Sequence, residues 1–387
     1  MNDRAAPPPR SPWRPVWSPS TPRARSAPVS LGGEYMDSRP ADPRCCGRCA
    51  GAEAIARAAR RQRFRAAVFA RPGGRLSGAA PGGHPGRAGS GGPPGGGTDG
   101  AGLFRTVTGT LLDISPHILV VATAEGERRL VLIPGASVWR GGTAQATELR
   151  PGEPVLIRLA PGRRDVADKV WASIGRVAGT ISASDDGQLT VDEGTTRNRQ
   201  AVIIAPAAAN RIQVRFPQLG PGNLIDVIGL RRGTVLEAVI PATSQPAYLA
   251  SKVARGSAVV KTAGGTFSGS ATWHEPAAPG EEPRGVAYPA IDPAAGCAEA
   301  TLAVPCPAEL PYLAVGSMLS VRNECTGAAR VLSVTGCGAA ARLFHDRCLT
   351  CGTSPRGRVA DLTLVSFVEL GGDPERACFN ATVTVWP

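Results

Sequence analysis

Aromatic residues are scarce in this chain, making up 5% of its 387 residues. Lysine is scarcer still, at positions 169, 252 and 261 only. No cysteine occurs from Ala50 to Gly296. No apolar run approaches the roughly eighteen residues that read as a membrane-crossing helix. Each lack excludes something. Without long apolar runs, no transmembrane segment is expected. With so few aromatics, a stacking platform for single-stranded nucleic acid has little to be built from.

The formal charge of +12 at first suggests a polyanion partner. Its distribution argues otherwise. Residues 1–100 hold sixteen Arg against six acids, which is +10 of that total. The rest of the chain is close to neutral, so nucleic acid is not an expected partner.

The same hundred residues are crowded with Pro and Gly, as in Pro7-Pro8-Pro9 and Gly95-Gly96-Gly97. They offer too little apolar surface to offset chain entropy and read as a disordered tail. A short apolar stretch around Ala66–Ala70 follows paired arginines, but Arg71 and Gly73-Gly74 end it. It is too short to read as a signal peptide.

From residue 101 a repeat appears with a period of seventy. Val107-x-Gly109-Thr110-Leu111 returns as Val177-x-Gly179-Thr180-Ile181, Leu119-x-Val121 as Leu189-x-Val191, and Pro151-Gly152 as Pro221-Gly222. A fixed period of this kind signals duplicated units. Alternating runs such as Ile118–Ala122, Arg129–Ile133, Pro154–Leu159 and Val166–Trp171 predict about five strands per unit. The expected organisation is all-β. A disordered tail covers 1–100, two small β-barrel units cover 101–173 and 174–245, a linker covers 246–264 with a strand at Ala258-Val259-Val260, and a last domain covers 265–387. The Leu-x-Pro-Gly-x-x-Val/Ile element in both units resembles short bacterial β-barrel repeats of OB-like topology.

Seven cysteines fall in the last domain: Cys297, Cys306, Cys325, Cys337, Cys348, Cys351 and Cys378. That density predicts disulfides and an oxidising compartment, extracellular or in the cell envelope. Cys348 and Cys351 also have half the spacing of a zinc site. No convincing second pair accompanies them, so neither metal nor cofactor is expected.

Two carboxylates, Asp346 and Asp361, each end a short apolar run, with a turn rich in Cys, Gly, Ser and Pro between them. Such a pair can point into one groove, the machinery that glycoside cleavage uses. Most Asp residues at strand ends are turn formers or solvated charges, so the pattern needs support. His345 adjoins Asp346, but successive strand residues face opposite sides, so it is not its partner.

Four ordered elements supply that support. Gly269-Ser270-Ala271-Thr272-Trp273-His274, then Leu310-Pro311 with Gly316 and the strand to Val321, then Asp346-Arg347-Cys348, and last Asp361-Leu362-Thr363 running to Leu370 resemble the double-psi β-barrel of rare lipoprotein A-like proteins and expansins. The resemblance implies a six-stranded double-psi β-barrel, closed by a strand at Ala381–Val385, that works on cell-wall glycan, peptidoglycan or another polysaccharide. Some members are lytic transglycosylases, whereas expansins loosen walls without clear hydrolysis. By that resemblance Asp361 is the candidate general acid, its pKa raised by partial burial. Asp346 would stabilise the oxocarbenium-like charge or act as base, and Trp273 is a candidate for stacking on a sugar face or packing in the core. A second register sets Gly336, not Asp346, where the family has its acid. The alternative function is a non-catalytic, expansin-like binding or structural module.

Overall fold

The computed structural model describes residues 102–194, 199–244, 264–275, 283–291, 310–338, 344, 347–348, 352–353 and 357–386. The expected disordered tail and the strand at 258–260 lie outside the described residues.

The first repeat unit forms β1 (Thr106–Ser115), β2 (Ile118–Thr123), β3 (Gly126–Trp139), the short β4 (Thr143–Ala144), β5 (Pro154–Leu159) and β6 (Val166–Ala172). Strands β2, β1, β5, β6 and β3 are neighbours in that order, and β3 pairs back onto β2 to close a five-stranded barrel. The second unit forms β7 (Ile174–Asp185), β8 (Gln188–Asp192), β9 (Gln200–Ile204), helix α1 (Ala209–Arg215), β10 (Leu224–Arg232) and β11 (Val235–Pro241). It closes in the same order, β8-β7-β10-β11-β9. One pairing in each barrel is parallel, β3 with β6 and β9 with β11.

The seventy-residue period is therefore a period of structure. Val107 and Val177, Leu111 and Ile181, Leu119 and Leu189, Val121 and Val191, and Ile157 and Val227 are all buried at matching places. The repeated glycine has a physical reason. A methyl group on Gly109 would overlap the carbonyl oxygen of Ala122, and one on Gly179 would overlap that of Asp192. In both barrels the first strand passes too close to its neighbour for any side chain. The register shift that follows in each hairpin, between Leu111 and Asp113 and between Ile181 and Ala183, lies beside this approach.

The last domain forms β13 (Gly265–His274), β14 (Val286–Tyr288), β15 (Met318–Asn323), β16 (Ala329–Cys337), β19 (Arg358–Thr363), α2 (Leu364–Glu369) and β20 (Cys378–Val385). These six strands close a barrel in the order β13-β19-β14-β16-β15-β20. Two of its pairings are parallel, β13 with β19 and β14 with β16. A small separate sheet joins β12 (Thr243–Ser244), which follows the second repeat, to β17 (Arg347–Cys348) and β18 (Gly352–Thr353). After Asp361-Leu362-Thr363 the chain turns into α2, capped by the Thr363 hydroxyl, which accepts from the Ser366 amide.

The apolar core of the third barrel does not stop at its own strands. It takes in Trp139, Leu156 and Trp171 from the first repeat and Ile174, Ile228 and Leu230 from the second. Polar seams run beside it. Glu369, 3% exposed, takes the guanidinium groups of Arg284 and Arg330 and the hydroxyl of Thr106 on β1. Lys169 on β6 lies 3.0 Å from Asp373 and 2.9 Å from Glu375.

Candidate functional site

Asp361 sits in the middle of β19, between two strands that are in register with it. On one side Asp361 pairs with Thr272 of β13. On the other it pairs with Ala287 of β14, which pairs in turn with Gly336 of β16. Thr272, Asp361, Ala287 and Gly336 thus form one row across the barrel wall. The Thr272 hydroxyl donates to Asp361 Oδ1 at 2.8 Å. Two residues on, His274 is on the same side of β13, and its Nδ1 lies 3.4 Å from Asp361 Oδ2. The His274 and Asp361 side chains keep 9% and 18% of their surface, so both are largely withdrawn from water.

A second layer fixes these strands, and it belongs to the second repeat. Arg176 on β7 donates from Nε and Nη2 to the two carboxylate oxygens of Asp226 on β10, at 2.8 and 2.7 Å. Its remaining nitrogen, Nη1, donates to the backbone carbonyls of Trp273 at 2.7 Å and Ala377 at 3.3 Å. Arg358, at the start of β19, donates to the same Asp226 Oδ2. All three side chains are at most 2% exposed. Ala377 holds a φ of 67°, a backbone conformation uncommon for a residue with a side chain, and its carbonyl meets Arg176.

Burial works against the charge on Arg176. The Asp226 carboxylate outweighs that by its charge and its hydrogen bonds, so the guanidinium is held above its ordinary pKa. Arg358 opposes the charge, and Asp361 adds to the support. Beside this cluster, Glu275 receives the Arg176 amide at 2.7 Å and two bonds from Arg231, at 2.7 and 3.1 Å. The second repeat therefore holds the Trp273 carbonyl and the Glu275 side chain.

The sequence-derived site residues fare differently. Asp361 is at the centre of the row. Asp346 and His345 lie outside the described residues. Trp273 is 1% exposed; its Nε1 donates to the Pro374 carbonyl at 3.0 Å, and the Arg176 guanidinium lies 5.8 Å from its ring centre. That corrects one of its two expected roles, because a ring enclosed in this way has no face to lay on a sugar. Gly336 is in the row with Asp361, two strands across, which at the usual strand spacing is about 9–10 Å. A side chain there would meet nothing within 4 Å.

Of the cysteines, Cys297, Cys306 and Cys351 lie outside the described residues. The backbone of Cys348 is in β17, Cys325 is exposed after β15, and Cys337 and Cys378 are buried. Among the described residues, no group of three or more His, Cys, Asp and Glu could hold a metal ion. None of their helices is long and apolar enough to cross a membrane.

Four residues were missed by sequence reasoning: His274, Arg176, Asp226 and Arg358. One signal was there to be used. Asp226 interrupts the apolar run from Leu224 to Leu230, and a charge in such a run has to be paired when the strand is buried. Comparison with known proteins adds no relative: no protein-family model matches this chain, and no curated protein does.

Proposed function

We propose that this chain is a cell-envelope or secreted protein that acts on wall polysaccharide through its C-terminal barrel, and that it cleaves glycan strands there. The observation that carries the reading is the set Thr272, His274 and Asp361. It joins a carboxylate to an imidazole on adjacent parallel strands of the domain whose motifs resemble a glycan-active family. In a glycan-cleaving site Asp361 is the general acid that protonates the leaving oxygen as the glycosidic bond breaks. The oxidising compartment is read from the cysteine density of the last domain alone.

The non-catalytic reading has its own support in Gly336. If the family's second acid belongs at this position, the row holds one carboxylate and an open place. Incubation of the full chain with purified peptidoglycan separates the two. Soluble glycan fragments are expected from a cleaving enzyme. Co-sedimentation with no fragments points to the binding module, and the absence of both fragments and binding overturns the glycan reading.

A further inference from the structure

We infer that the outer face of the third barrel around Trp386 binds an uncharged stretch of polysaccharide, apart from the row that holds Asp361. For its ligand the inference rests on the glycan reading above.

Trp386 is 50% exposed, whereas Trp139, Trp171 and Trp273 are 3%, 0% and 1% exposed. Enclosing so large a ring is strongly favourable, so an indole left in water marks a surface that meets something else. Met318 and Val331, on neighbouring strands, are 49% and 50% exposed.

The strand register places these side chains on one face. Along β20, Ala381, Val383 and Val385 are buried, so Thr382, Thr384 and Trp386 alternate with them on the outer side. Thr384 pairs with Thr266 of β13 and with Ser320 of β15, and Ser320 pairs with Val331 of β16. These four make a row across four antiparallel strands, about 14 Å from end to end. Leu319 pairs with Val385, so the same register sets Met318 beside Trp386, and Met318 pairs with Ser333. On the other flank lies the row Ser268, Thr382, Arg322 and Ala329.

The face therefore offers one aromatic plane with hydroxyls around it. A sugar ring presents the matching pair, an apolar C–H side and a rim of hydroxyls. Ser and Thr hydroxyls both donate and accept, as sugar hydroxyls do. Those of Thr266 and Thr384 lie 3.3 Å apart, and the bond between them leaves each able to make another. Arg322 is the one charged residue of the three rows. A face so nearly free of charge complements a neutral polymer and not a polyanion. Thr272, in the row of Asp361, is six residues along β13 from Thr266, about 20 Å away. The face thus holds polymer remote from the reacting bond.

The test is co-sedimentation of the full chain with purified peptidoglycan, with thermal unfolding as a control of fold. Trp386→Ala should weaken binding about tenfold or more. Met318→Lys, a charge set beside the ring, should also weaken it, and Trp386→Phe should stay within about threefold of the wild type. Raising salt from about 50 to 500 mM should change binding less than about twofold. Binding unchanged in both Trp386→Ala and Met318→Lys overturns the inference and leaves the glycan reading standing. Binding that salt abolishes and Trp386→Ala does not touch overturns it too, in favour of the basic residues 1–100. So does a dimer of the wild type that Trp386→Ala dissolves, because a second copy then occupies the face. A wild type that neither binds nor releases fragments overturns both readings. Loss of binding in Trp386→Ala, with no fragments from the wild type, upholds the face and removes only the cleavage.

Discussion

Asp226 is the residue on which the second and third barrels meet. It is fully buried and serves two guanidinium groups from different domains. A buried ion pair is weak evidence of net stability, because desolvating the charges costs about as much as their attraction returns. Breaking one is another matter. Asp226→Asn leaves two buried cations facing an amide, so it should cost about 3–5 kcal/mol. The exposed pair of Arg129 and Glu127, at 3.5 Å, makes a control. Arg129→Gln should change stability by no more than about 1 kcal/mol. Chemical denaturation of both variants checks this, and a loss below about 1 kcal/mol for Asp226→Asn would show that Arg176 and Arg358 find other partners.

The elements of this fold were largely legible from the chain. Val107-x-Gly109-Thr110 and its copy at 177–180 announced a duplicated strand, and both copies open a five-stranded barrel. The motif glycines mark a place where two backbones nearly touch. Gly109→Ala and Gly179→Ala should each destabilise by about 1–3 kcal/mol, because backbone must shift to admit the methyl. Gly336→Ala, which meets open space, should stay within about 1 kcal/mol. Thermal unfolding of the three variants orders them, and equal effects would mean that the repeated glycine is not a packing requirement.

Of the proposed site, the sequence named Asp361, because it ends an apolar run and belongs to an ordered set of motifs. His274 could not be named, since its partner is 87 residues away in sequence and is reached only through the parallel pairing of β13 with β19. For the same reason Trp273 was open to two roles. Only its enclosure by Pro374 and Arg176 shows that it is a core residue.

At the scale of the molecule, the repeats are more than spacers. They lend Trp171 and Ile228 to the core of the third barrel and clamp the strand that carries His274. A fragment beginning at Gly264 would expose that apolar seam and leave Arg358 without Asp226. It should express poorly or unfold, whereas a fragment beginning at Gly102 should give a cooperative transition. A well-folded fragment from Gly264, judged by circular dichroism and its unfolding curve, would show that the seam contributes little.

The same body is what should meet the wall polymer. The most direct measurement is the release of soluble glycan fragments from purified peptidoglycan by the full chain and by Asp361→Asn at equal concentration. The proposed chemistry predicts fragments from the wild type and a loss of about a hundredfold or more in the variant, with the fold unchanged. Fragment release by Asp361→Asn at the wild-type rate would contradict it.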